Sequence, residues 1–215
     1  MAIVYGLILR PTVAPRLPSV TPVYDPSMLD NENNILRLYF AQLDNFTQSL
    51  ISGNGGKFLS APYGAFSDFT SQSTGANTAK LLALTTTDFS NEVTISSSKI
   101  TVQNSGIYNL QFSVQIQNLD NAPQDMFIWL KQNGVDIVGS TGKVGMPARK
   151  SAGVPSHDIK GWNYFLSMNA NDYIEIYWSP TIATVTVETY AASGTPTKPS
   201  TASVVATMSF VSALP

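Results

Sequence analysis

Most of the chain after residue 57 alternates between hydrophobic and polar positions, in short runs separated by turn-forming residues. A period of two residues places every second side chain on one face, which is the pattern of a half-buried strand. In the longest run the side chains that share a face are Tyr108, Leu110, Phe112, Val114 and Ile116. A later run ends in Asn133-Gly134, a pair that accepts the positive φ angles of a tight hairpin turn. Many short strands with such turns predict that residues 57–215 form an all-β jelly-roll sandwich.

A different hydrophobic period, close to 3.5 residues, predicts one helix over residues 26–52. Asp25 can cap this helix and Pro26 fits its first turn, where no intrahelical partner exists for a backbone N–H. Leucine recurs at every seventh position and aromatic residues lie between, so that the seam consists of Leu29, Leu36, Tyr39, Leu43, Phe46 and Leu50. A narrow seam of this period favours a short coiled coil, about 39 Å long at 1.5 Å per residue. An amphipathic helix packed on its own domain is the alternative, because Ile35 and Phe40 lie off the seam.

Residues 1–25 precede the helix and contain four prolines between positions 11 and 22. Proline fixes φ and removes an amide donor, so this segment is predicted to be an extended arm without a core of its own. Its large hydrophobic side chains cluster near the start: Ile3, Val4, Tyr5, Leu7, Ile8 and Leu9. A disordered tail is the alternative, but such a cluster is unusual for disorder and favours an anchor that buries these side chains on another protein. Residues 53–56, Gly-Asn-Gly-Gly, are predicted to link the helix to the sandwich.

The balance of charges and the rare residue types remove several classes of function. Twelve basic and 14 acidic side chains give a net charge of −2, so no nucleic-acid partner is expected. The absence of cysteine excludes a disulfide framework, a thiolate zinc site and a cysteine nucleophile, and one histidine excludes any site that needs two imidazoles. No hydrophobic run approaches the roughly 20 residues that span a bilayer, and the first residues do not resemble a secretory signal. We therefore expect synthesis in a cytoplasm and no membrane insertion.

The sequence contains only weak candidates for catalysis. Ser156, His157 and Asp158 are adjacent, but neighbours in an extended segment point in different directions, whereas a catalytic relay needs side chains that converge from separate elements. Acidic residues near the strand ends lack the spacing of a calcium-binding loop. We therefore predict no enzyme activity, no catalytic residue, no metal site and no cofactor.

Three tryptophans are the side chains best suited to stacking on a ligand. Trp129 and Trp178 lie in hydrophobic runs, and they are predicted to belong to the core or to a subunit interface. The polar stretch at residues 139–160 is predicted to be an insert on the rim of the sandwich, with a solvated loop as the simpler interpretation. The candidates for a contact on the outer face, in or just after this insert, are Trp162, Arg149 and Lys150.

The order of the strand motifs resembles the jelly roll shared by tumour necrosis factor and the globular heads of complement. A Gly-Ile-Tyr-x-Leu-x-Phe strand is followed by a Lys-x-Asn-Gly hairpin, an Asn-Asp-Tyr-Ile-Glu-Ile strand and a closing Ser-Phe-Val strand. The matching pieces are residues 106–113, 130–134, 170–176 and 207–211. The resemblance implies a homotrimer in which the inner sheets pack about an axis and the outer surfaces bind partners. A coiled-coil stalk often precedes such a domain, and the seam occupies the corresponding place.

The amino-terminal motifs show a second and more specific resemblance. The pattern Leu17-Pro-x-x-x-Pro22-x-Tyr24-Asp25-Pro26 is followed by Asn31-x-x-Asn34-Ile-Leu-x-Leu-Tyr39-Phe-x-Gln-Leu43-Asp44. This combination resembles the start of structural proteins in tailed phages, particularly marine ones, where a shared docking segment precedes variable domains. It implies a virion protein, made in the host cytoplasm, whose residues 1–46 attach to a capsid or tail protein.

These features together predict a homotrimeric capsid decoration or short fibre displayed on the surface of a particle. The first alternative is a tail- or collar-attached fibre that binds a host-surface receptor, either a glycan or a protein. The second alternative is a free recognition module of the complement-head kind. The apparent lack of a secretory signal and of cysteine argues against this last alternative.

Overall fold

The computed structural model of the protein describes residues 13–18, 23, 25–51 and 61–214. Strands make up 51% of the structure, with one helix among the described residues. The chain divides into two compact units, Met1–Ser60 and Ala61–Pro215. The prediction of a β-rich sandwich with a single preceding helix is therefore confirmed.

The helix of the first unit, α1, spans Pro26–Ile51, within one residue of its predicted end. It begins where Asp25 accepts hydrogen bonds from the backbone N–H and the hydroxyl of Ser27, at 2.9 and 2.7 Å. These bonds lower the pKa of the Asp25 carboxyl below its usual value, because they favour the ionised form. Asp25 is thus the helix cap that the sequence predicts. Within the described ranges, no helix has the length and hydrophobicity needed to cross a bilayer.

The described residues of the second unit form fifteen strands. They are β1 Tyr63–Asp68, β2 Lys80–Leu81, β3 Thr86–Asn91, β4 Val93–Ser96, β5 Lys99–Val102, β6 Gly106–Asn118, β7 Gln124–Gln132, β8 Val135–Asp136, β9 Gly142–Met146, β10 Ser156–Met168, β11 Tyr173–Pro180, β12 Val185–Val187, β13 Ser193–Gly194, β14 Thr197–Lys198 and β15 Val204–Ser212. The strands of the sandwich pair in antiparallel fashion within two sheets.

The first sheet has the strand order β10-β6-β15-β1-β3, with β12 also paired to β6. The second sheet has the order β4-β5-β11-β7-β8, with β2 paired to β11 and β9 paired to β7. The long strands alternate between the sheets along the chain: β6, β10 and β15 belong to the first, whereas β7 and β11 belong to the second. The first strand, β1, pairs with the last, β15. Two sheets connected in this way enclose one hydrophobic core.

The core follows from the alternation of the long strands. In β6 the even-numbered side chains are buried between the sheets, and most odd-numbered ones face outward. The largest fully buried side chains include Trp178, Tyr108 and Phe66, each of which contributes about 1.5–3 kcal/mol or more of burial energy. Burial also raises the pKa of Tyr108, whose hydroxyl donates a 2.8 Å hydrogen bond to the carbonyl of Asn104.

The predicted strands and their main hairpin are observed, but one expectation is wrong. Asn133 and Gly134 have φ angles of 52° and 80°, as the hairpin between β7 and β8 requires. The stretch 139–160, by contrast, is not an insert on the rim, because β9 and the first five residues of β10 lie within it. Asp158 and Lys160 point toward the partly buried side of β10, and their side chains pair at 2.8 Å. Because these two inward positions carry charged residues, the sequence does not show the alternation of hydrophobic and polar residues that is typical of a strand.

Candidate functional site

The side chains predicted for the stalk form an accessible seam along α1. Leu29 is 47% exposed, and Leu36, Tyr39, Leu43 and Phe46 are half-buried, so no described seam side chain is buried within the first unit. The side chain of Leu50 lies outside the described part of the structure. The predicted arm residues, Ile3, Val4, Tyr5, Leu7, Ile8 and Leu9, also lie outside the described residues.

Two further large side chains of α1 are exposed away from the seam. Leu38 is 61% exposed and Phe40 is 57% exposed, and the ring of Phe40 lies 5.7 Å from that of Tyr39. The middle of the helix is therefore hydrophobic over more than one face. A two- or three-stranded coiled coil would cover the seam but leave part of this surface accessible.

The outward side of four neighbouring strands of the first sheet combines hydrophobic and uncharged polar side chains. We call the outward-facing side of β10, β6, β15 and β1 the uncharged face, because no lysine, arginine, aspartate or glutamate occupies its outward positions. Its polar positions carry mostly Asn, Gln, Ser and Thr. Six large side chains are exposed on it or at its β3 edge: Tyr63, Phe89, Ile159, Phe165, Val205 and Val211. Two carboxylates border this face: Asp88 on β3 accepts a 3.0 Å hydrogen bond from Ser67, and Glu188 accepts a 2.8 Å hydrogen bond from Thr186, which itself accepts one from Gln117 of β6.

A shallow hollow of about 500 Å³ lies in this face. Its lining residues are Gln111, Phe112, Ser113, Gly161, Trp162, Asn163, Val205 and Thr207. Gly161 occupies an outward position of β10 between Ile159 and Asn163, so the missing side chain leaves space there. A Cβ atom at this position would meet only the carbonyl oxygen of Phe112, at 3.7 Å, which is an ordinary van der Waals distance. We call this feature the Gly161 hollow.

Trp162 belongs to the packed layer beneath this face rather than to an exposed rim. Its ring is half-buried and stacks on Phe112, with centroids 5.1 Å apart and planes inclined by 12°. Gly142 of the second sheet permits this position, because a Cβ atom there would lie 2.5 Å from the Trp162 Nε1 atom. The indole therefore joins the two sheets.

Arg149 and Lys150 lie elsewhere, in the connection between β9 and β10. The Arg149 guanidinium donates a 3.4 Å hydrogen bond to the carbonyl of Leu119, and Lys150 is exposed. Leu119 follows Phe112 by seven residues, which is about 23 Å along an extended chain at 3.3 Å per residue. The structure thus does not bring Arg149 and Lys150 together with Trp162.

The outward side of the second sheet has a different character. Four aromatic side chains face outward from β7 and β11: Phe127, Trp129, Tyr173 and Tyr177. A lysine Nζ atom lies over three of these rings, with Lys99 4.2 Å from the Tyr173 centroid, Lys131 4.6 Å from Tyr177 and Lys143 5.8 Å from Phe127. We call this side the lysine–aromatic face.

Each of these lysines also has an acidic partner. Lys143 pairs with Asp125 at 2.9 Å, Lys131 with Asp136 at 3.4 Å and Lys99 with Glu175 at 3.9 Å. The indole N–H of Trp129 donates a 2.8 Å hydrogen bond to Asp136. Of the two tryptophans predicted for the core or a subunit interface, Trp178 is fully buried in the core, whereas Trp129 is half-buried on this face and packs beside Tyr177.

The adjacent Ser156, His157 and Asp158 bind three different partners. The Ser156 hydroxyl donates to the carbonyl of Pro147 at 2.7 Å, and Asp158 pairs with Lys160. The Nδ1 atom of His157 lies 2.8 Å from the Tyr190 hydroxyl, on the outward side of β10. Among the described residues, no group of three or more histidine, aspartate or glutamate side chains is placed to hold a metal ion.

The exposed hydrophobic side chains of the first sheet are not among the residues that the sequence predicts for a binding site. The signal was present in β10 and β15, where Ile159, Phe165 and Val205 occupy the positions that a solvated sheet fills with charged side chains. The chain matches no protein-family model, and no curated protein is similar to it in sequence. The geometry of the two outer faces and of α1 is therefore the basis for a functional proposal.

Proposed function

We propose that the protein is a non-enzymatic structural component of a virion, a homotrimeric capsid decoration or short fibre. The uncharged face is the observation that carries this proposal. Protein interfaces are depleted of charge at their centre and enriched in aromatic side chains, and this face has both properties over several neighbouring strands. A hydrophobic surface of that kind on a soluble protein marks an interaction site.

The connection of the strands supports the jelly-roll part of the proposal. A jelly roll places successive long strands in opposite sheets and pairs the first strand with the last. Here β6, β7, β10 and β11 alternate between the sheets, and β15 returns to pair with both β1 and β6. In the resembled family of tumour necrosis factor and complement heads, it is the inner sheet that packs around the trimer axis.

The first unit supports attachment and assembly. Its seam side chains are accessible along one side of α1, as a coiled coil between copies requires. The resemblance of residues 17–44 to the docking segments of tailed-phage proteins is the reason for proposing that the particle is a phage virion. In this proposal the arm binds a capsid or tail protein, the helix forms a short stalk, and the sandwich faces outward.

A second candidate function, a tail- or collar-attached fibre that binds a host surface, is favoured by the lysine–aromatic face. This face lies on the opposite side of the sandwich from the uncharged face, so trimer formation through the latter leaves it accessible. Aromatic rings beside charged groups are common elements of binding surfaces. The two functions share the trimer and differ in what, if anything, this outer surface binds.

The mass of the full-length protein in solution tests the trimer directly. Size-exclusion chromatography with light scattering is expected to give about three times the chain mass of 23.2 kDa. A monomeric mass at micromolar concentration would contradict the proposed homotrimer.

Deleting residues 1–24 tests whether the arm is needed for attachment to the particle but not for formation of the trimer. We expect the shortened protein to keep its trimeric mass but to be missing from purified particles. Continued incorporation would contradict the anchor role of the arm. Added full-length protein is expected to leave host infection unchanged if the protein is a decoration, and to compete with particles if it is the receptor-binding fibre.

A further inference from the structure

The two edges of the first sheet have complementary shapes. At the β3 edge, Phe89 is 62% exposed and its ring lies 6.0 Å from that of Tyr63, which is 43% exposed. The two rings form a projection in an edge-to-face arrangement. Toward the β10 edge the same sheet contains the Gly161 hollow. The hollow is lined by β15, β6 and β10, and β1 lies between β15 and β3, so the projection and the hollow are separate patches of the same sheet.

The projection and the hollow also lie at the same height along the strands. Phe89 pairs with Ala65 in the register of β1 and β3. The antiparallel pairing of Asp68 with Val204 places Ala65 beside Thr207, which is opposite Gln111. Gln111 in turn is opposite Asn163. Since Thr207, Gln111 and Asn163 all line the hollow, a row perpendicular to the strands connects it to Phe89.

We propose that the Tyr63–Phe89 projection of one copy occupies the Gly161 hollow of the next copy. This contact rests on the proposed homotrimer and specifies which surfaces form it. A contact between two different patches is heterologous, and it generates a closed ring only if rotation returns each patch to the same level. The shared height of projection and hollow satisfies that condition for an axis that runs along the strands.

The chemistry of the two surfaces fits a second copy better than a charged partner. The hollow offers Val205 as an apolar wall and amide or hydroxyl groups from Gln111, Asn163 and Thr207. A phenyl ring and a phenol can enter such a site, while the neighbouring Asp88 carboxylate stays at the β3 edge, where it accepts a hydrogen bond from Ser67. A lysine or carboxylate from an unrelated partner would be buried there without an opposite charge, which is unfavourable. An uncharged surface is thus matched by another uncharged surface.

A pair of cysteines tests the contact, and the chain has no cysteine of its own. Thr86 is exposed near Phe89, and Asn163 is exposed on the rim of the hollow. Within one chain their strands are separated by four spacings, about 19 Å. A bismaleimide reagent shorter than this distance can therefore join the variants Thr86→Cys and Asn163→Cys only between copies. We expect the full-length double variant to give a covalent species of about three times 23.2 kDa on a denaturing gel.

Two controls make the result specific. Thr86→Cys combined with Gly145→Cys places the second thiol on the lysine–aromatic face, and we expect no cross-linked trimer. Adding Gly161→Leu to the first pair fills the hollow and is expected to abolish the cross-link, without disturbing the subunit, because a Cβ atom is accommodated there.

A trimeric mass by light scattering without cross-linking, or cross-linking that survives Gly161→Leu, would overturn this contact and leave the homotrimer standing. A monomeric mass for the unaltered chain would instead refute the homotrimer itself, and the contact with it.

Discussion

The two outer faces of the sandwich both expose aromatic side chains, but they differ in what surrounds them. On the lysine–aromatic face, three rings lie under lysine side chains that are also paired with carboxylates. On the uncharged face, Phe165 and Ile159 are 67% and 60% exposed, and the residues opposite them on β6 are Asn109 and Gln115. Charged groups are costly to desolvate, whereas uncharged polar groups can be buried if they find hydrogen-bond partners. The comparison indicates that one face is suited to water and the other to a protein.

The largest expected effect comes from placing a charge on the uncharged face. Phe165→Asp introduces a carboxylate where the proposed interface has none, and an uncompensated buried charge costs about 3–5 kcal/mol. We expect the trimer to dissociate at concentrations where the unaltered protein remains associated, measured by light scattering on dilution. Val138→Asp is the matched control, because Val138 is 99% exposed beside the second sheet. Equal behaviour of the two variants would remove the distinction between the faces.

The stalk provides a second and independent source of association. Leu36→Asp or Leu43→Asp places a charge in the seam and is expected to reduce both the helical circular dichroism signal and the mass in solution. Leu38→Asp is the control, since Leu38 is exposed outside the seam. A helical signal that falls equally for all three variants would indicate that the helix packs through a broader face than a coiled coil.

A smaller effect is expected on the lysine–aromatic face. Lys131→Met removes the ion pair with Asp136 and the contact with the Tyr177 ring, both of which are partly exposed. Such contacts contribute about 0.5–1 kcal/mol each at exposed sites. Urea unfolding should therefore show a loss of about 1 kcal/mol that shrinks in high salt, with no change in mass. A change in oligomeric mass would show that this face also holds subunits together.

The smallest expected effect is on the stability of the fold at acidic pH. Burial by itself raises the pKa of Asp172, but hydrogen bonds from the Asn133 amide, the Asn169 backbone N–H and the Gln132 amide lower it overall. A depressed carboxyl pKa stabilises the fold above the unfolded value near 3.9. That contribution is lost as the pH falls through the folded pKa, below about pH 4. Asp172→Asn should be less stable than the unaltered protein at pH 7, and the difference should shrink at pH 3, measured by thermal unfolding.

The sequence predicted the regular parts of the fold well. The strand at residues 107–116 and the helix at 26–52 are long enough for their periods to be recognised. Asn133-Gly134 marks the hairpin turn after β7, and Asp25 marks the start of the helix. The short strands β1 to β4 were not predicted, because two to six residues are too few to show a clear hydrophobic period. Strand β9 has only Val144 and Met146 facing the core, between lysine and glycine.

The candidate site was less predictable because it depends on neighbours that are distant in sequence. The Gly161 hollow is lined by residues from β6, β10 and β15, and no single segment reveals that a glycine lies between them. Trp162 follows the polar stretch 139–160 and is predicted to make an outer contact, yet its ring turns inward onto Phe112. The face that a strand residue occupies is set by its register in the sheet, which the local sequence specifies only weakly.

The position of the last strand has a consequence for how the protein is made. Because β15 lies between β6 and β1 in the first sheet, a nascent chain that ends before residue 204 leaves β1 and most of β6 without the strand that lies between them. The sheet therefore cannot close until residues 204–212 have been synthesised, and the long sequence separation of its partners slows that step. Val205 and Thr207 of this strand also line the hollow. A chain that stops before residue 204 would lack both the closing strand and a wall of the contact surface, so the proposed ring would admit only subunits that include β15.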